Sequence, residues 1–402
     1  MVNINGRDYK TPNIPVVGIC IDGCDPTYLN SVDMPHLQRI IDSGCSGLAQ
    51  SVIPSFTNPN NIAIVTGVTP DINGIPGNYY FDEATNQEVM MDDPKYLRVP
   101  TILSAFAETG LDVAAITTKE KLRGFLSHNL RGISFSVEKG KLTTVAQNGI
   151  CDISDLVGRI APNIYDPEAS VYCLEAGFQL LQRQHIDLMY LSTTDFVQHK
   201  FAPEAAQAIH FYKKLDYLLG EFHRKDVVIG ITADHGMNDK IRNDGTPDIQ
   251  YLESLLRDVG IKARVILPIT DPHVVHHGGL GSFATVYTMP NDRANALDFL
   301  MNVPGVENVF EKHVAASKFS LPADRIGDLV VLGDRTTVLG RTPEWHDLSN
   351  VTKGLRSHGG IHESTVPFIV NRPLKAPYHQ RLENNDMRNF DLFEVLCNGV
   401  EL

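Results

Sequence analysis

The chain has 402 residues, of which 43% are hydrophobic and 21% charged, with a formal net charge of -13; this is the composition of a globular protein holding two or three folding units, or one large domain with an insertion. The negative charge disfavours nucleic acid and anionic membrane as partners, and six scattered cysteines without paired C-x-x-C motifs argue against a disulfide framework or a thiolate zinc knuckle. Residues 1–15 are polar and no apolar run is long enough to span a bilayer, so the protein is expected to be cytoplasmic.

In chain order, the apolar run at 16–21 predicts a buried parallel strand delivering Asp22 and Gly23 at its carboxyl end. Asp25-Pro26 then starts a helix near Tyr28. Residues 51–67, S-V-I-P-S-F-T-N-P-N-N-I-A-I-V-T-G, put Thr57 in a polar turn closed by Pro59, ahead of the apolar helical run 62–65. Backbone N–H groups at such a helix start face whatever anion sits beside the hydroxyl, which suits a nucleophile; capping is the plainer use of a threonine there. Strands at 113–117, 186–191 and 227–231 empty into Thr118-Lys119-Glu120-Lys121, Ser192-Thr193-Thr194-Asp195 and Thr232-Ala233-Asp234-His235-Gly236. Amphipathic stretches such as 205–223 separate them. This alternation predicts an α/β fold with a doubly wound, mostly parallel sheet, whose ligands bind where the strands end. Four polar strand ends then converge on one crevice.

From about 239 to 328 the texture changes. Strands at 263–267 and 282–287 and a helix at 294–301 predict an inserted α+β cap over residues 239–325. Residues 1–238 and 326–402 are then the catalytic core, because the buried-strand pattern resumes at 327–332. A smaller insertion is placed near 131–164. In the cap, His276-His277-Gly278-Gly279 receives no role, and Trp345 is read as packing.

Carboxylates and imidazoles at the strand ends carry the chemistry. Asp195 and His199 stand i, i+4 and share a face if helical, so both can ligate one metal ion. Asp234-His235 before Gly236 makes a sharp turn that can direct both side chains inward, and His358 sits in a second glycine turn, Arg356-Ser357-His358-Gly359-Gly360. Singly, each is compatible with a core or loop residue. Imidazole and carboxylate donors together suit zinc, with iron or manganese as alternatives, and the lack of an all-oxygen loop disfavours calcium.

Asp22-Gly23, the 54–60 segment around Thr57, Asp195-x-x-x-His199, Ala233-Asp234-His235-Gly236 and Ser357-His358-Gly359 occur in an order that resembles the alkaline phosphatase superfamily on its nucleotide pyrophosphatase/phosphodiesterase-like branch. The resemblance spans the core and leaves the cap undiagnosed. It implies two zinc ions per subunit, one held by Asp195, His199 and His358 and the other by Asp22, Thr57, Asp234 and His235. Asp22 is preferred to Asp25, and His358 to His362. The resemblance also implies that Asn78 donates to a phosphoryl oxygen, that His199 and His358 border the substrate, and that the protein forms a homodimer. The Thr57 segment lacks the C/S-x-P-x-R context of sulfatases and the serine of cofactor-independent phosphoglycerate mutases.

Alternate lysines on an extended segment point to one side, so Lys119 and Lys121 could meet at one small anion, although lysines after a strand are more often simply solvated. The whole pattern is similar to the phosphonoacetate hydrolases, in which such a pair binds the substrate carboxylate. That similarity implies a small anionic substrate, phosphonoacetate, cleaved at its carbon–phosphorus bond, with Thr57 attacking phosphorus or serving only as a metal ligand. Two alternatives stand beside it. A phosphodiesterase or phosphomonoesterase would share the metals and hold a nucleoside or aryl group near Tyr79, Tyr80 and Phe81, and a non-catalytic metal-binding protein would use the ligands alone.

Overall fold

Short, continuous apolar runs form inner strands buried on both faces, and more polar, part-exposed strands such as Cys45–Gln50 and Val306–Glu311 edge the sheets. In chain order the strands are β1 (Val16–Cys20), β2 (Cys45–Gln50), β3 (Val113–Thr117), β4 (Ile133–Ser136), β5 (Leu188–Ser192), β6 (Val228–Thr232), β7 (Ala263–Ile266), β8 (Phe283–Thr288), β9 (Val306–Glu311), β10 (Leu329–Gly333) and β11 (Thr365–Val370). The structure, a computed structural model, describes residues 1–269, 278–349, 351 and 354–402.

Seven strands make the central sheet in the order β2-β11-β6-β1-β5-β3-β4. The run from β6 to β4 pairs in parallel, whereas β11 is antiparallel to both its neighbours. This is the mostly parallel α/β sheet expected. Cys20 lies opposite Thr232 and Ser192, and Ser192 opposite Thr117. The residues that follow β1, β3, β5 and β6 therefore emerge along one edge. Helix Ala206–His223 packs against both Pro35–Ser43 and Glu168–Arg183. The C-terminal segment packs directly on the sheet at Gly18 and Gly230, where an added Cβ would stand 3.0 Å from Phe393 and 2.7 Å from Leu396.

A second, antiparallel sheet has the order β7-β8-β10-β9. Here the sequence reading is corrected. The buried run at 327–332 does not resume the central sheet but gives β10, an inner strand of the second one. Its uninterrupted apolar pattern records burial on both faces, a condition that an inner strand of either sheet satisfies. The chain rejoins the central sheet only at β11. Similarly, the stretch near 131–164 opens with β4, the edge strand of the central sheet, before its short helices Val145–Asn148 and Ile153–Val157.

The second sheet grips the Thr57 loop. Ile53 and Phe56 belong to its hydrophobic core, and the Phe56 ring meets Phe283 and His358 edge-on at 6.3 and 5.5 Å. Of the aromatics that the phosphodiesterase alternative would use, Phe81 stands edge-on to Tyr287 with the Arg264 guanidinium over its face, and Tyr80 packs on Tyr96. Trp345 is 43% exposed beneath Arg341. His276 and His277 lie outside the described residues. Among the described residues no helix is long and apolar enough to cross a membrane.

Candidate active site

The helix Thr57–Thr66 begins at Thr57 itself, with Phe56 as N-cap and Pro59 in the first turn. The turn closed by Pro59 that the sequence suggested is thus helical already, because a proline there lacks only an N–H that would have no intrahelical acceptor. Thr57 caps nothing. Its hydroxyl faces Asp22 Oδ1 at 3.5 Å and His235 Nε2 at 3.3 Å.

Asp22 is delivered just beyond β1 and is fully buried. Gly23 follows with φ +70, a left-handed conformation that glycine adopts without steric cost, and a Cβ there would stand 3.0 Å from the Asp195 side chain. Its N–H donates to Asp234 Oδ1 (3.1 Å), drawing the ends of β1 and β6 together. Asp25 is consumed locally, since its carboxylate caps the helix Pro26–Asn30 by accepting from Thr27. Asp195 and His199 fall at the two ends of the single-turn helix Phe196–Lys200, with Asp195 Oδ2 3.0 Å from His199 Nε2. His358 arrives beside His235 because Arg356–Ser357 pairs antiparallel with Asn238–Asp239. His362 instead pairs with Glu307.

Two fully buried clusters result, Asp195–His199–His358 and Asp22–Asp234–His235, each with its ligand atoms within 4.8 Å of one another. The His235 and His358 rings stack at 3.5 Å, so the clusters are adjacent. Each histidine donates Nδ1–H to a backbone carbonyl: His199 to Arg356, His235 to Gly236 and His358 to Ser55, all at 2.8 Å. This fixes the tautomer that leaves Nε2 as a lone-pair donor facing the carboxylates. The donor sets therefore fit two divalent ions of the zinc type.

Three carboxylates face one ammonium here, that of Lys119, which lies 2.8 Å from Asp22 Oδ2 and 3.0 Å from Asp195 Oδ1. Burial would raise the Asp195 carboxyl, but the charges of Lys119, His199 and His235 outweigh it and hold the group well below the usual carboxylate range. Burial and then the neighbouring Asp22 push Asp234 up. His235 is pulled down by burial and pushed further up by Asp234 and Asp22, ending above its ordinary value. Burial, with His235 and His199 adding to it, keeps His358 well below, in the neutral form a ligand needs. Two dications would reverse the sign of this centre, which a net-acidic protein requires to hold an anion.

A cavity of about 510 Å³ opens on the Asp195–His199–His358 cluster, its wall including Thr57, Asn78, Lys119, Lys121, Asp195 and His358. The expected extended lysine segment is instead a helix start, with Lys119 as N-cap of Glu120–Leu126 and Lys121 in the first turn. Both still border the cavity. Asn78 is held on both sides: Asn58 Nδ2 donates to its Oδ1 (2.5 Å) and its backbone N–H donates to Pro268 of the second sheet's flank. Among the hydrogen bonds of the described residues, none takes the Asn78 amide hydrogens.

Several residues of this centre escaped sequence reasoning. Asn61 touches Asp234, and Asn60 bonds the backbone at Val52, Pro54 and Phe56, bracing the Thr57 loop. Their signal lay in the spacing: Asn61 is one helical turn beyond Thr57 and so shares its face. Glu363 is buried and ties the β6 loop to the His358 turn, with no local motif to announce it.

Residues 16–362 match the family of type I phosphodiesterases / nucleotide pyrophosphatases. The chain belongs to that family, within the alkaline phosphatase superfamily. Across the family's breadth, it is similar over nearly its whole length to phosphonoacetate hydrolase from Sinorhizobium meliloti 1021. That enzyme's structure with phosphonoformate is 46% identical, covers 98% of this chain and 97% of its own, and superposes with a TM-score of 0.92. Its structure with phosphonoacetate matches at 45% identity, the same coverage and the same TM-score. Curated relatives are more distant. A mouse bis(5'-adenosyl)-triphosphatase is 33% identical over 92 residues, and a Schizosaccharomyces pombe pyrophosphatase/phosphodiesterase is 24% identical over 236. The alignments take in 23% and 55% of this chain and span only 20% and 44% of those two proteins.

Proposed function

We propose that the protein hydrolyses the carbon–phosphorus bond of phosphonoacetate to acetate and phosphate, with two zinc ions per subunit and Thr57 as nucleophile. One observation carries this reading: a single cavity is lined by Thr57, by Asp195 and His358 of one ligand cluster, and by two lysines, Lys119 and Lys121. Phosphorus chemistry uses the first two, and the lysines on the same wall offer positive charge for a second anionic group on the substrate. The likeness to an enzyme crystallised with phosphonoacetate supports the same substrate class.

In this account Asp195, His199 and His358 hold one ion, and Asp22, Thr57, Asp234 and His235 the other. Two dications held there would supply Lewis acidity, lowering the pKa of the threonine hydroxyl and offsetting the charge of the phosphonyl oxygens. The Thr57 hydroxyl would give up its proton to water and its oxygen would bond to phosphorus as the P–C bond breaks, that bond's electron pair passing to carbon and delocalising into the carboxylate until water returns a proton to the carbon. Lys119 and Lys121 stabilise the enolate-like leaving group. Without that carboxylate the carbon could not depart. Asn78 donates its amide N–H to a phosphonyl oxygen, with Asn58 fixing the orientation. Protonation at carbon gives acetate, and water then cleaves the threonine ester to release phosphate.

The lysine pair gives the discriminating test. Lys119→Ala and Lys121→Ala should depress kcat/KM for phosphonoacetate far more than for nitrophenyl phosphate, which has no carboxylate; equal losses on both would refute the assignment. The roominess of the cavity, together with Met90, Ile164, Tyr165 and Phe196 on its wall, favours a second reading as a phosphodiesterase or phosphomonoesterase. Faster turnover of a nucleotide diester than of phosphonoacetate would select it.

A further inference from the structure

Asn61 is fully buried and all four of its side-chain hydrogen-bonding positions are used. Its Oδ1 accepts from the Tyr190 hydroxyl (2.7 Å) and the Ser192 hydroxyl (2.8 Å), both on β5. Its Nδ2 donates to the Thr57 carbonyl (3.0 Å) and to Asp234 Oδ2 (2.9 Å). A flipped amide would set its oxygen against both of those acceptors, so the orientation is unique. Asp234 Oδ1 is already taken by the N–H groups of Gly23 and His235. Oδ2 is the oxygen on the His235 Nε2 side, 3.9 Å away.

We propose that Asn61 is a positioning residue that selects Oδ2 of Asp234 as the metal-facing oxygen and locks it to the helix carrying Thr57. This rests on the two-ion reading above. Through Asn61, the second ion's carboxylate and the nucleophile's backbone move as one body. The bond should matter to one ion and not the other, because neither Asp195, His199 nor His358 touches Asn61 among the hydrogen bonds of the described residues.

The test is zinc binding to the full-length protein, with Zn2+ as the probe against a competing chelator, alongside kcat. Wild type should hold two ions. Asn61→Ala should weaken one of them by about tenfold to a hundredfold, the range for losing a partner of a metal ligand, and leave the other unchanged. Should that variant fail to fold, the similarly sized Asn61→Leu also removes the Nδ2 donor, and the same one-ion weakening is expected. Rescue by Asn61→Gln is not expected, since a longer side chain misplaces the donor. Unchanged affinity for both ions in a folded variant overturns the inference while sparing the two-ion reading. Equal weakening of both ions also overturns it, and absence of bound zinc in wild type overturns both.

Discussion

In the proposed reaction Thr57 is the attacking residue, and its position in the first helical turn fits that role. A capping threonine would spend its oxygen on a backbone N–H, whereas this one points at Asp22 and His235. Thr57→Ala should lower kcat on phosphonoacetate by roughly a thousandfold or more, as loss of a nucleophile does, while the far-ultraviolet circular dichroism stays unchanged; near-full turnover with both ions bound would leave Thr57 as a ligand only. Asn78→Ala should cost on the order of a hundredfold in kcat. The protonation of the centre gives a further expectation. Asp234 and His235 both sit above their ordinary values, which favours their protonated forms when no ion is bound. Zinc must displace those protons, and its affinity should therefore rise with pH across the neutral range and release protons in an unbuffered titration. Affinity independent of pH would contradict this.

Elements set how much of the site was legible from sequence. The ends of β1, β5 and β6 announced Asp22, Asp195, Asp234 and His235 because a parallel strand is a continuous apolar run whose last residue hands over a polar one. His358 was legible only as a histidine in a glycine turn, for its place depends on the two-residue pairing of Arg356–Ser357 with Asn238–Asp239. β10 was assigned to the wrong sheet because burial on both faces looks alike in either. Glu363 and Lys240 were invisible, being a non-local pair buried between two loops. The Glu363 carboxylate accepts from Lys240 (2.9 Å), Asn238 (2.6 Å) and the Gly360 N–H (3.0 Å). Lys240→Met strands part of that charge, and breaking a buried pair in this way costs about 3–5 kcal/mol. A marked fall in Tm in differential scanning calorimetry is expected; an unchanged Tm would show that the pair does not hold the loops.

At the scale of the whole molecule, the two sheets meet at the Thr57 loop, with Phe56 in the core of one and Thr57 facing the strand ends of the other. The net charge of -13 is no obstacle to an anionic substrate if two dications sit at the join. Cysteine exposure agrees with a purely structural use of the thiols. Cys151 alone is exposed, while burial pushes Cys24 and Cys173 up to about 12. One thiol should therefore react promptly with Ellman's reagent in the native protein and six after unfolding. The most direct test of the central claim is phosphate and acetate release from phosphonoacetate by the zinc-loaded protein, repeated after chelation and after zinc is restored. The account predicts equimolar acetate and phosphate, lost on chelation and recovered with two zinc ions per chain. No release from the protein with both ions bound, or release that survives removal of both, would contradict it.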